Sequence, residues 1–512
     1  MITSIRNFIL TNLKFYIFVL CITLLYGITF TLFDFIDNPF RDFKDFTIIA
    51  MQYMVILFSI FGLIYLLAIN KIIFSILFPP LTAILTVITF FKSTAKISLT
   101  SMVLDATLTN DLKTSLDLVS ISLILFVLAS ISVSIILVFI RFKHIKRVAL
   151  VQHILISLLV ISSTNYLFTS PISARTPYIL FYTLRNYLQE KNTALTVRRS
   201  ISENATTSID SLNVIFVIGE SLRPDHLEIN GYKRNTTPHI KELDVYSLPN
   251  IYSEYTYTNR SIPHILTRAD SLSPNLAFEE PSFISIFNAC NFNTAWIANQ
   301  ESADSYIYFI KECKNVYYPN IGKSVYSFDK WLDEDLIPDF EKELIKPSPK
   351  KLIILHTIGS HWWYNAHYPE SFKKFEPIVK SRVLSSCSNE EMLNSYDNTV
   401  LYTDFFLSKL IERLKSSNSI LIYLSDHGES LGENGIWLHA SSQQPCHSTA
   451  SFVWASESYK RKNPNKINAL KTNILNHWRT DFLFHSIIDA SDIKSPYLKN
   501  ELSIFTNHNK GN

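Results

Sequence analysis

The chain has 512 residues, of which 47% are hydrophobic and 18% charged, and a formal net charge of 47 − 44 = +3. A charged share well below the roughly 25% of soluble proteins, with a mean hydropathy of +0.14, argues against both a wholly soluble enzyme and a disordered chain. With no basic stripe and only 10 glycines, neither a nucleic-acid surface nor a glycine-rich phosphate loop is indicated.

Five long uncharged stretches come first: residues 15–33, 46–70, 72–91, 118–140 and 148–174. Each can supply the about 20 apolar residues that cross a bilayer as a helix, so residues 1–170 are expected to form a five-span membrane domain. Pro79-Pro80 is expected to kink or shorten the third span. The first stretch is too long for a cleaved signal and lacks a small-residue cleavage site. With the N-terminus inside, the inner segments carry Arg6, Lys14, Lys71, Arg141, Lys143, Lys146 and Arg147, and the outer loops Arg41, Lys44, Lys92, Lys96 and Lys113. That bias puts the remaining residues outside the cytoplasm.

Residues 171–210 read as a linker. Within it, 178–195 mixes Phe, Tyr and Leu with Arg185, Glu190 and Lys191, as an amphipathic interfacial helix would. A soluble domain over 211–512 follows. Cys21 lies in the first span, whereas Cys290, Cys313, Cys387 and Cys446 lie in the exported part. Four cysteines allow three pairings, and an oxidising compartment would let them form. Cys290–Cys313 with Cys387–Cys446 is the expected arrangement.

The soluble domain alternates apolar, β-branched runs with helical stretches such as 391–416. The runs at 213–218 (NVIFVI), 351–358 (KLIILHTI) and 419–424 (SILIYL) have the continuous hydrophobicity of parallel strands buried on both faces. The expected fold is a doubly wound α/β sheet, whose sites form beyond the carboxyl ends of its strands. Glu220, His361, Asp426 and His427 stand at those ends. Glu220, Asp426 and His427 suit a hard or borderline dication. A nucleophile's oxygen could fill the fourth position, ready to attack a phosphate or sulfate ester.

Three segments, 214–240 (VIFVIGESLRPDHLEINGYKRNTTPHI), 356–369 (HTIGSHWWYNAHYP) and 425–439 (SDHGESLGENGIWLH), resemble the catalytic domain of bacterial phosphoethanolamine transferases. These belong to the alkaline phosphatase/sulfatase superfamily and include the lipid A-modifying, colistin-resistance type. The resemblance implies Zn²⁺ held by Glu220, Thr258, Asp426 and His427. It makes Thr258, in Thr258-Asn259-Arg260-Ser261-Ile262-Pro263, the nucleophile, with Thr256 the nearby rival. It places His361 and His439 on the substrate side. It further implies phosphatidylethanolamine as donor, lipid A or the lipopolysaccharide core as acceptor, and a monomer in the bacterial inner membrane with a periplasmic catalytic domain.

The chain departs from the pattern at Glu254 and His264, where lipid A-modifying members commonly carry cysteines, and at Trp362-Trp363-Tyr364. Glu429 and Glu433 read as loop organisers, and Arg260 as a phosphate clamp or a surface residue. Other readings are a glycerol-phosphate transferase acting on phosphatidylglycerol and a non-catalytic membrane sensor. A sulfatase reading suffers because Ser261-Ile262-Pro263-His264-Ile265 lacks the maturation arginine.

Overall fold

In a bilayer the backbone must satisfy its own polar groups, so long apolar runs become helices. The computed structural model describes residues 10–36, 38–95, 97–109, 119–146, 148, 150–323 and 329–507. It contains five helices long and apolar enough to cross a membrane: α1 (Leu13–Phe30), α2 (Phe43–Ile69), α3 (Lys71–Ala95), α4 (Ile121–Lys143) and α5 (Leu150–Leu167). Of the residues weighed above, Arg6, Lys96, Lys113, Leu118 and Arg147 lie outside the described ones.

Local signals set the helix ends. The Asp42 side chain accepts from Asp45 N at the start of α2, and Ser120 accepts from Leu123 N at the start of α4, as N-caps do. The C-terminal carbonyls of α2 meet Arg141. This guanidinium, 1% exposed, donates from Nε to Ala68 O (2.7 Å) and from Nη2 to Ile69 O (3.0 Å). Helix α3 is not shortened at Pro79-Pro80 but runs through both prolines. The Thr82 hydroxyl donates to Pro79 O (2.9 Å). Helix α6 (Tyr178–Ala194) follows.

By its contacts the chain divides into two units. The first comprises residues 1–187 with short segments at 322–328 and 380–386, and the second comprises 188–321, 329–379 and 387–512.

The second unit is built on an eight-stranded sheet. Its strands are β1 (Leu212–Gly219), β2 (Tyr246–Tyr252), β3 (Asn293–Ala298), β4 (Asn315–Tyr317), β5 (Lys350–His356), β6 (Ser419–Ser425), β7 (Ser448–Ala455) and β8 (Trp478–Arg479). The order across the sheet is β8-β2-β7-β6-β1-β5-β3-β4. The three strands legible as apolar runs are thus neighbours at its centre, parallel to one another. Only β7 runs antiparallel to its neighbours. Helix α7 (Thr258–Leu266) carries Thr258 at its first position. Helix α8 (Asn389–Leu414) opens with a capping box between Ser388 and Glu391.

The expected disulfides do not form. Cys290, Cys313 and Cys446 are buried free thiols. Cys290 and Cys313 belong to the main apolar core, where a thiol packs as a small hydrophobe. Cys446 Sγ sits 3.2 Å from Ser430 Oγ and 3.3 Å from Ser441 Oγ. Cys387 is half-buried.

Candidate active site

Ile218 of β1 pairs with His356 of β5, and Gly219 with Ser425 of β6. The residues that follow these strands therefore emerge at one edge. Glu220, Asp426 and His427 all have 0% exposure there. The chain leaves β1 sharply, with Ser221 at φ 58°, and Ser221 Oγ donates to Glu220 Oε1 (2.7 Å). Beyond β5, the Asp333 carboxylate accepts from Ile358 N (2.8 Å) and Gly359 N (3.0 Å). This holds the turn that carries His361. Gly359 has φ +47°, and a Cβ there would lie 3.0 Å from Glu220 O.

Thr258 is brought to this edge by α7. Its Oγ1 donates to Glu220 Oε2 (3.0 Å) and lies 3.5 Å from His427 Nε2. As the first residue of α7 it also sits at the positive end of a helix dipole. Thr256 is buried and contributes its carbonyl to Ala440 N (2.8 Å). Arg260 is exposed, 5.9 Å above the Tyr255 ring.

His427 donates from Nδ1 to Gly428 O (2.7 Å), which turns Nε2 inward, 3.3 Å from Glu220 Oε1 and 3.4 Å from Asp426 Oδ2. Gly428 allows this because a Cβ would fall 2.1 Å from Pro445 O and 2.3 Å from Ser448 O. Asp426 Oδ1 accepts from His427 N (2.8 Å). Its buried Oδ2 has no hydrogen-bond partner among the described residues.

His439 lies beside His427, with ring centroids 4.6 Å apart and the rings tilted, and His361 lies 5.8 Å from His439. His439 donates from Nδ1 to Glu429 Oε2 (2.9 Å). Glu429, fully buried, also accepts from Tyr364 Oη (2.7 Å). His361 is half-buried, and its Nδ1 bonds the Trp362 carbonyl. Glu433 accepts from Arg223 (2.5 Å) and from Leu431 N (2.7 Å) and ties the loop together.

Gln300 escaped the sequence reading. Its Nε2 donates to Glu220 Oε2 (2.9 Å) and to Thr357 O (2.8 Å). It stands in a loop beyond β3 with no motif around it, and only the folded sheet brings it to Glu220. Glu429 lay in a motif, but its grip on His439 was not visible there.

The protonation pattern follows from burial and crowding. Burial, with the Glu220 charge beside it, pushes the Asp426 carboxyl up to about 7. Burial also opposes ionisation of Glu220, yet His427 holds that carboxyl well below its ordinary value. For His427, Asp426 and Glu220 outweigh burial and raise it to about 10. Burial pulls His361 down. His439 is raised, because Glu429 more than offsets its burial.

The residues present fit a dication. Glu220, His427 and His439 each offer a ligand atom within 4.8 Å of the others, and Asp426 Oδ2 lies buried beside them without a donor. Two carboxylates, imidazole nitrogens and a hydroxyl are the donor types of a catalytic zinc site.

The profile of the sulfatase family matches residues 212–493, just over half of the chain. Phosphoethanolamine transferase EptA of Escherichia coli K12 is 30% identical over 296 residues, covering 55% of this chain and 54% of the relative. Kdo(2)-lipid A phosphoethanolamine 7''-transferase of the same strain is 31% identical over 279 residues, covering 53% and 49%. The chain thus spans about half the length of the curated relatives it matches. The integral membrane lipooligosaccharide phosphoethanolamine transferase A of Neisseria meningitidis has the same fold, with a TM-score of 0.54 at 21% identity. That match covers 95% of this chain and 97% of the other, so the shared architecture includes the apolar helices as well as the sheet domain.

Proposed function

The chain belongs to the sulfatase family, and on that premise we propose that it transfers phosphoethanolamine from phosphatidylethanolamine to lipopolysaccharide, at a lipid A phosphate or a core sugar, through a covalent intermediate on Thr258. The observation that carries this reading is the Thr258 hydroxyl at the N-terminus of α7, 3.0 Å from Glu220 Oε2 and 3.5 Å from His427 Nε2. The names and substrates of the relatives support the transferred group and the acceptor class.

A zinc ion held by Glu220, Thr258, Asp426 and His427 supplies, when bound, a Lewis acid that acidifies the hydroxyl and offsets charge on the phosphoryl oxygens. The chain's own residues do the rest. The helix end favours the Thr258 alkoxide, and Asp426, whose carboxyl burial makes the more basic of the two beside it, takes up its proton. Thr258 Oγ1 bonds to phosphorus, and the phosphorus–oxygen bond to diacylglycerol breaks. Glu429 raises the pKa of His439, which gives a proton to the leaving oxygen. In the second half, the acceptor oxygen returns a proton to His439 and attacks phosphorus, the bond from phosphorus to Thr258 Oγ1 breaks, and Thr258 takes its proton back from Asp426. Gln300 fixes the Glu220 rotamer throughout. An enzyme whose donor and acceptor are both lipids belongs at the bacterial inner membrane, with this site on the periplasmic side.

The test is mass spectrometry of lipid A and core oligosaccharide from a Gram-negative host expressing the wild type or Thr258→Ala. A phosphoethanolamine increment seen only with the wild type supports the reading. An increment that survives Thr258→Ala moves the nucleophile to another residue, with Thr256 next.

A further inference from the structure

The turn that carries His361 hangs on one buried carboxylate. Asp333 is 3% exposed. Its Oδ1 accepts from Ile358 N (2.8 Å) and Asn299 Nδ2 (2.9 Å), and its Oδ2 accepts from Gly359 N (3.0 Å). The Asn299 amide is fixed in that orientation. Its Oδ1 accepts from Trp331 Nε1 (2.8 Å) and Asn320 Nδ2 (2.6 Å), and an indole nitrogen only donates. Asp333 therefore meets three donors, which its charged form satisfies together. A proton on Oδ2, the oxygen with the single donor, would compete with Gly359 N.

The same turn touches the reaction centre. Gly359 sits against the Glu220 backbone, and Ser360 N donates to Glu220 O (3.1 Å). Ser360 Oγ lies 2.7 Å from Thr399 Oγ1 of α8. His361 comes next, its ring 5.8 Å from that of His439. The titratable groups facing Asp333 are Asp335, Tyr402 of α8 and Tyr423 of β6, none of them a cation. Glu334, beside it in the chain, takes the Tyr402 hydroxyl (2.8 Å). Burial, with Asp335 adding to it, pushes the Asp333 carboxyl up to about 6 against the pull of its three donors. The charge is thus present at neutral pH and lost as pH falls through that value.

We infer that Asp333 is a positioning residue for transfer, whose negative charge holds the 358–361 turn, and with it His361, at the reaction centre. Proton uptake frees the Gly359 amide, and His361, two residues on, loses its anchor. The effect on rate rests on the transferase reading; the anchoring of the turn does not.

The experiment uses the full, zinc-loaded chain in detergent, with bound zinc counted at each pH. Amide hydrogen exchange of the peptide spanning 357–361, corrected for intrinsic rate, is followed by mass spectrometry from pH 8 to pH 5. Wild-type protection should fall about tenfold per unit below pH 6, as the charged fraction does. In Asp333→Asn the amide sets a donor against donors, so protection should be low and independent of pH. Asn299→Asp sets a second carboxylate against the first, so the fall should move up by about a unit or more. That variant carries the test if Asp333→Asn does not fold. Thr399→Val loosens the turn without a titrating group and should keep the wild-type shape of the profile. Transfer to lipopolysaccharide, measured on the same samples, should fall with the protection. At pH 8, Asp333→Asn should transfer about tenfold to a hundredfold more slowly, as misplaced groups do. A flat wild-type profile, a fall that stays in place in Asn299→Asp, or transfer that ignores the protection overturns the proposal. A wild type that exchanges as expected yet transfers nothing would sink the transferase reading and leave the anchoring of the turn standing.

Discussion

Thr258 Oγ1 donates to Glu220 Oε2 at 3.0 Å, and Thr256, two residues earlier, spends its carbonyl on Ala440 N. Thr258→Ala should therefore abolish transfer, with a fall on the order of a thousandfold or more, as removal of a covalent nucleophile does. Thr256→Ala should retain most activity. Lipid analysis of both variants distinguishes them, and equal losses would contradict the assignment.

Metal affinity should depend steeply on pH. To bind a cation, Asp426 and His427 must give up protons that they hold up to about 7 and about 10. Both pKa values are raised, so affinity rises with pH. Apparent zinc affinity should increase about tenfold per unit between pH 7 and 10, where one proton is displaced, and more steeply below pH 7, where two are. A competition titration against a zinc indicator reads this slope directly, and a flat profile would contradict it.

Glu429 joins Tyr364 to His439 and raises the His439 pKa. If His439 protonates the leaving oxygen, activity falls as pH rises through that pKa. Glu429→Gln should move this alkaline limb to lower pH and cost about tenfold to a hundredfold in activity. A pH profile of kcat/KM checks both, and a rate loss with an unmoved limb would reduce Glu429 to a packing role.

Much of the sheet was legible because its centre is built from continuous apolar strands. The runs that became β1, β5 and β6 had no competing reading, and their carboxyl ends carried Glu220, His361 and Asp426. Strands β2 and β7 were less visible. Pro249 and Asn250 break the pattern of the first, and Ser448, Thr449 and Ser451 polarise the second. Gln300 was illegible for a different reason: its role is a contact between β3's loop and β1's end, which no local pattern encodes. The disulfide expectation failed because compartment says nothing about whether two buried thiols face each other.

Thiol chemistry offers an independent check. Alkylation of the unfolded chain without reductant should label Cys290, Cys313 and Cys446 fully, since all three are free thiols. Protection of Cys290 and Cys313 together would mean that they form a bridge.

Gly428 should be less replaceable than Gly435. A Cβ at Gly428 would strike two backbone carbonyls at 2.1 and 2.3 Å, while at Gly435, with φ +73°, it meets nothing within 4 Å. Gly435→Ala should cost about 1–2 kcal/mol from its left-handed backbone alone. Gly428→Ala should exceed that and displace His427, lowering zinc affinity as well. Thermal unfolding and zinc titration of the two variants make the comparison.

The central claim is that Thr258 carries the transferred group. The most direct measurement is peptide mass spectrometry of the purified, zinc-loaded chain after exposure to phosphatidylethanolamine vesicles without acceptor. The account predicts phosphoethanolamine on Thr258, released when lipopolysaccharide is added and undetectable in Thr258→Ala. An unmodified Thr258 in a preparation that still transfers the group to lipopolysaccharide would contradict it.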